Sequence, residues 1–407
     1  MKKKVKKTIF LDYSILIPYL VLSVVGIIMS YSASSYRLMN QEIPAPPWQD
    51  SVKQTAFFLA GLVVITIIYK IKTEVLQNKH FIMFGISSIT IMLLLTRFTP
   101  LGQEINGARG WLKLGPLTIQ PTEFLKIVVV WYLAYIFSKR EDTIAYDFKG
   151  SAMKPLALVG VLIGLVLIQP DTGGAAILVL ITAILVFASG ISYIYSLAVG
   201  VIGVVGSLFV VQLLSWIPKS WYPTSFVHVY GRFQSFKDPF VDAYGDGHQM
   251  VNSYYAIYRG GWFGQGLGNS VQKKGFLPEA HSDFMFSIII EELGLIVAII
   301  LLLLLLFLTL RIILVGVKAT TSFNSLMCIG IGGMLLIQTF VNVGGITGII
   351  PLTGVTFPFL SQGGSSLLTL SIAIGFALNI RADERRKLEF RKEQHPNGNV
   401  VNFSRTV

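Results

Sequence analysis

Residues 284–310 read FMFSIIIEELGLIVAIILLLLLLFLTL, and from Leu293 onward this run holds no charged side chain. A helix rises 1.5 Å per residue, so about 20 apolar residues cross a hydrocarbon core about 30 Å thick. Working outward, comparable runs lie at 14–33, 54–70, 81–96, 122–138, 155–169, 173–190, 194–214, 324–343 and 365–380, ten spans in all. Composition agrees: 53% of residues are hydrophobic, 13% are charged and the mean hydropathy is +0.66, whereas soluble domains carry about 25% charged residues. The expected fold is an all-α polytopic membrane protein. One membrane domain covers 14–380, between an N-tail (1–13) and a C-tail (381–407), with a long loop at 215–283 between spans seven and eight.

Several function classes fall away at this point. The net charge of +12 suggests nucleic acid, but the basic residues form short blocks between apolar runs. Cys328 is the one cysteine, which rules out a disulfide within the chain and a cysteine zinc site. The histidines at 80, 228, 248, 281 and 395 have no zinc-type spacing. The run from Ser14 lacks a small-residue cleavage site and reads as a first span, not a removable leader.

Lys and Arg set the orientation. With ten spans, the side holding both tails carries 21 basic residues and the other 11, six of those in the long loop. By the positive-inside rule both termini are cytoplasmic. The polar, Gly-rich connections then face outward, and a loop as long as 215–283 is usually functional.

Four outward clusters carry chemistry-bearing residues. In the first, Arg109 lies in Asn106–Leu112, with Lys113 beyond it, and Glu123 and Lys126 follow in Gln120–Lys126. Three residues apart on a helix, Glu123 and Lys126 share a face, either as an ion pair at the bilayer edge or as a polar cavity wall. Arg109, beside Trp111, is either an interfacial anchor or a bidentate phosphate ligand. The second cluster is the turn Gln169–Gly174, where Asp171 reads first as a helix cap. The third runs from Gly260 to Phe284 and holds Lys273, Lys274, Glu279, His281 and Asp283; its glycine string lacks the strand that a dinucleotide fingerprint needs. Position alone favours capping for Ser282 and Asp283 too, while partial burial there would raise a carboxyl pKa toward that of a useful base. Glu291 and Glu292, embedded further along, must pair or face a cavity. In the fourth, Asn342–Ser366, residues Asn342, Thr353, Ser361, Ser365 and Ser366 sit in a Gly- and Pro-rich stretch. It suits a re-entrant segment with donors for an anionic headgroup.

NGARGWL, QPTEFLK, QPDTGGA, GGWFGQGLGNSVQKKGFLPEAHSDF, EELG and GIIPLTGVTFPFLSQGGSS, in this order, resemble the SEDS (shape, elongation, division and sporulation) family, its division-type FtsW branch more than its elongation-type RodA branch. Thr122 and Ser282 stand where many members carry Ser and Thr, and both keep the hydroxyl. The resemblance implies a peptidoglycan glycosyltransferase that polymerises lipid II at the septum of a bacterial inner membrane. It implies that Asp283 is the general base, and that a class B penicillin-binding transpeptidase and other divisome membrane proteins are partners. The rest of the candidate site, for substrate, is Arg109, Lys113, Glu123, Lys126, Asp171, Lys273, Lys274, Glu279, Asn342, Thr353, Ser361, Ser365 and Ser366. No cofactor is required by this reading, and a divalent cation (Mg or Mn) held by carboxylates and pyrophosphate stays open. The rivals are a lipid II flippase, an elongation-type polymerase and a division scaffold whose basic C-tail binds anionic lipid.

Overall fold

A computed structural model describes residues 7–105, 107–115, 117–144, 146–191 and 226–394, with isolated positions between 194 and 223. Eight helices among the described residues are long and apolar enough to cross a membrane: α1 (Tyr13–Met39), α2 (Gln49–Lys70), α3 (Lys79–Phe98), α4 (Pro121–Lys139), α5 (Phe148–Ile168), α9 (Met285–Val317), α10 (Ser322–Ile346) and α11 (Gly364–Gln394). A shorter apolar helix, α6 (Thr172–Ala188), follows α5. Nine expected spans therefore appear as helices, most of them longer than their apolar runs. The expected span at 194–214 lies almost wholly outside the described residues.

Local sequence sets the ends. Pro121 opens α4, where its missing N–H costs nothing. Asn78 caps α3 and Asp171 caps α6. Asp12 caps α1 and is tied to Arg311 at 2.7 Å, Arg381 at 3.1 Å and Arg385 at 3.4 Å, which knots α1, α9 and α11 at the end bearing the termini. Burial would push the Asp12 carboxyl up, but Ser14 and these guanidiniums together pull it down to about 2.

Helices α4, α10 and α11 form the buried centre. On α9, Ile296, Ile299, Ile300, Leu303, Phe307, Leu310 and Leu314 form an exposed apolar stripe at helical spacing, as a lipid-facing helix requires. Between membrane helices, close packing replaces the hydrophobic drive. On α10, a Cβ at Gly330 would lie 2.6 Å from Val130 of α4, and one at Gly333 would lie 2.9 Å from Ile184 of α6.

Two stretches outside the spans add structure of their own. Around Arg109, β1 (Gly102–Ile105), β2 (Ala108–Leu114) and β3 (Leu117–Ile119) form an antiparallel sheet in that order. The long segment 215–283 also has structure of its own, with α7 (Val227–Lys237) and α8 (His248–Gly260). Helix α8 lays Ser253, Ala256 and Gly260 against the start of α9, and the Ser253 and Ser287 hydroxyls meet at 2.8 Å.

Beyond α8 the chain inserts into α9. Gly294 sits inside α9 with φ 83°, so the carbonyls of Glu291 and Glu292 lose their partners one turn on. Gln265 and Gly266 donate to those carbonyls, both at 2.9 Å, while Leu295 N–H donates to Gly261 and Ile296 N–H to Trp262. The loop thus supplies the backbone bonds that the kink breaks, which membrane-embedded backbone demands. The two buried carboxylates secure it. Glu291 accepts from Ser270 and Val271, and Glu292 accepts from Ser32 and from Lys273 at 2.5 Å.

Candidate active site

A cavity of about 330 Å³ opens at the end of the bundle that carries the sheet. Its walls come from the four sequence clusters together with α7. Glu123 and Lys126 reach it from α4, Asp171 from the cap of α6, Arg232 from α7, Glu279, Ser282 and Asp283 from the approach to α9, and Thr353, Ser365 and Ser366 from 353–366.

Asp283 does not cap α9. That helix starts without a side-chain cap; Ser282 donates its hydroxyl to Glu279 at 2.6 Å, and its carbonyl accepts from Ser361 at 2.6 Å. The capping reading therefore fails at 282–283, and the Asp283 carboxylate is left facing the cavity. It is held from behind: Asn342 Nδ2 donates to the Asp283 carbonyl at 2.7 Å and to Val355 at 2.6 Å. Asn342 and Ser361, both expected at substrate, instead fix the backbone that presents Asp283. Burial, then the charges of Glu279 and Asp171, raise the Asp283 carboxyl to about 7 against the pull of Arg232. A carboxyl near neutrality can both release and accept a proton at cellular pH.

Asp171 does cap: its Oδ1 accepts from Gly174 N–H at 2.8 Å. It lines the cavity as well, and burial, outweighing that hydrogen bond, raises its pKa. Lys126 Nζ lies 2.8 Å from Glu123 Oε1, so the pair is at once an ion pair and a cavity wall. Ser365 Oγ accepts from Gln120 N–H at 3.0 Å, tying α11 to α4. Glu279 and Thr353 line the cavity, and Thr353 offers its carbonyl to Arg232 at 2.9 Å.

Four of the expected cations lie elsewhere. Lys273 is buried against Glu292 and Ser32, because an embedded carboxylate needs a partner and Lys273 is the lysine that turns inward. Lys274 is exposed, and Lys113 is exposed on the sheet. Arg109 donates to the Thr99 carbonyl at 2.9 Å and holds the sheet onto α3, while its neighbour Trp111 faces the cavity. The cation that sequence reading missed is Arg232. It is one of two arginines in the long loop, with Arg259, and only the fold of α7 brings it opposite Asp283. Among the described residues no three His, Cys, Asp or Glu side chains converge to cage a metal ion. The described donor set does not form a ready divalent site.

Residues 13–386 match the FtsW/RodA/SpoVE cell cycle protein model. A Lactococcus lactis protein named probable peptidoglycan glycosyltransferase FtsW is 43% identical over 98% of both chains. A Bacillus subtilis protein of the same name is 35% identical over 93% of this chain and 92% of its own. Among solved structures, a chain from a peptidoglycan synthase complex coordinating polymerization and crosslinking superposes with TM-score 0.72 at 25% identity, covering 92% of this chain and 98% of that one. Thermus thermophilus RodA shares the fold at TM-score 0.64, over 92% of this chain and 97% of its own.

Proposed function

The chain belongs to the FtsW/RodA/SpoVE family of cell cycle proteins, and from that premise we propose that it is a peptidoglycan glycosyltransferase polymerising lipid II at the division septum. The observation that carries the reading is Asp283, a cavity-facing carboxylate excused from capping and raised to about 7. Asp283 takes the proton from the GlcNAc 4-hydroxyl of one lipid II. That oxygen forms a bond to C1 of the MurNAc at the end of the growing strand. The C1–oxygen bond to undecaprenyl pyrophosphate breaks, the leaving group departs with the electron pair, and the anomeric centre inverts to a β-1,4 linkage.

The cavity end of the bundle faces outward, and both termini lie in the cytoplasm, since the termini end carries most Lys and Arg. The FtsW names of the relatives favour division over elongation, and the synthase-complex neighbour favours a class B transpeptidase as partner. Transport gains no support: Glu291 and Glu292, which would line a polar path, are occupied by Ser270, Val271, Ser32 and Lys273. The test is to reconstitute the purified chain with its transpeptidase and lipid II and resolve the products on gels. Glycan ladders that a muramidase removes support polymerisation. Labelled lipid II that crosses liposome bilayers without forming ladders contradicts it.

A further inference from the structure

Arg232 has an edge that the rest of the cavity leaves unused. One guanidinium nitrogen, Nη1, donates to the Thr353 carbonyl at 2.9 Å. The other, Nη2, borders Gly354, where a Cβ would lie 3.0 Å from it and 3.3 Å from Asp283 Oδ2. Asp283 and Asp171 are near enough to act on the charge of Arg232. Yet among the described residues no carboxylate forms an ion pair with it. Lys126, by contrast, is spent on Glu123. The same cavity is lined by the start of the 31-residue helix α11, with Gly364, Ser365 and Ser366, so the first backbone N–H groups and two hydroxyls sit at the positive end of a helix. A guanidinium fork and a helix start facing one cavity suit a phosphate-type anion.

We infer that Arg232, together with the first turn of α11, binds the diphosphate of the polyprenyl-linked substrate and stabilises it as it leaves. Arg232 is then a catalytic residue that touches the departing group. The inference rests on the polymerase reading for the identity of the anion.

The test is binding of farnesyl diphosphate, a short polyprenyl diphosphate, to the purified full chain in detergent, with inorganic pyrophosphate and farnesol as competitors. Wild type and Asp283→Asn should bind it, inorganic pyrophosphate should displace it, and farnesol should not. Arg232→Gln should bind about tenfold or more weakly, as losing a charge-assisted hydrogen bond predicts. Arg232→Lys should fall between, because an ammonium cannot make the fork. Unchanged affinity in either arginine variant overturns the inference, and so does competition by farnesol but not by pyrophosphate. Arg232→Lys keeps the charge and covers the case in which Arg232→Gln does not fold. Binding needs no turnover. A chain that binds diphosphate but polymerises nothing sinks the polymerase reading and spares this site, whereas a polymerase whose Arg232 variants bind normally does the reverse.

Discussion

Asp283 and Arg232 face each other across Gly354, whose φ of 76° and missing side chain leave the gap between carboxylate and guanidinium open. Gly354→Ala would place a methyl 3.3 Å from Asp283 Oδ2 and 3.0 Å from Arg232 Nη2, and would force a left-handed backbone on alanine at about 1 kcal/mol. The expected outcome is a fall in lipid II polymerisation of tenfold or more with little change in folded yield. Initial rates, set beside melting of the purified variant, check it.

The Asp283 carboxyl gives a pH signature. With its pKa at about 7, the rate should rise with pH through that value and then level. Stability should run the other way. The folded chain holds this proton up to about pH 7 and an unfolded chain only to about 3.8, so folding takes up a proton between them and stability falls as pH rises across that window. Asp283→Asn should therefore melt above wild type at pH 8, with the difference closing toward pH 4. Melting curves of both proteins across that range decide it.

Lys126→Met would strand the Glu123 carboxylate, whose Oε2 already lacks a hydrogen-bond partner in the protein. Breaking a buried pair from one side costs about 3–5 kcal/mol, while removing both charges costs far less. Melting should drop sharply in Lys126→Met and recover in part in the Glu123→Gln, Lys126→Met double variant. A double-mutant cycle with no coupling would contradict the pairing.

The spans were legible because apolar runs of this length with so few charges have one outlet, a bilayer. Glu291 and Glu292 were legible as groups that must pair or face a cavity, and they pair. Their partners were not: Lys273 and Lys274 are adjacent, and only the loop's path shows that Lys273 turns inward. The sheet escaped because strands of 4, 7 and 3 residues among glycines carry too little alternation to read. Helix α8 did leave a trace, an apolar or small face through Met250, Ser253, Ala256, Ile257 and Gly260, which the surrounding aromatic and polar residues obscured. Ser282 and Asp283 were readable as polar residues at a helix start. That they do not cap it follows from Glu279, Ser361 and Asn342, which come from three different places in the chain.

The insertion at Gly294 carries its own expectation. A Cβ there would lie 2.5 Å from the Gly264 nitrogen and from the Trp262 carbonyl, so Gly294→Ala must expel the loop that completes α9. The cost is about 1–3 kcal/mol for the strained backbone alone. Faster proteolysis between residues 261 and 274, together with a lower melting temperature, is the expected result. Unchanged protection would mean the loop does not need the kink.

The polymerase account is tested most directly by the initial rate of lipid II polymerisation by Asp283→Asn, reconstituted with the transpeptidase partner at the same level as wild type. General-base assistance is worth about 10²–10⁴-fold, and the account predicts a loss of at least that size in a protein that still inserts and folds. Polymerisation by Asp283→Asn at the wild-type rate would contradict it.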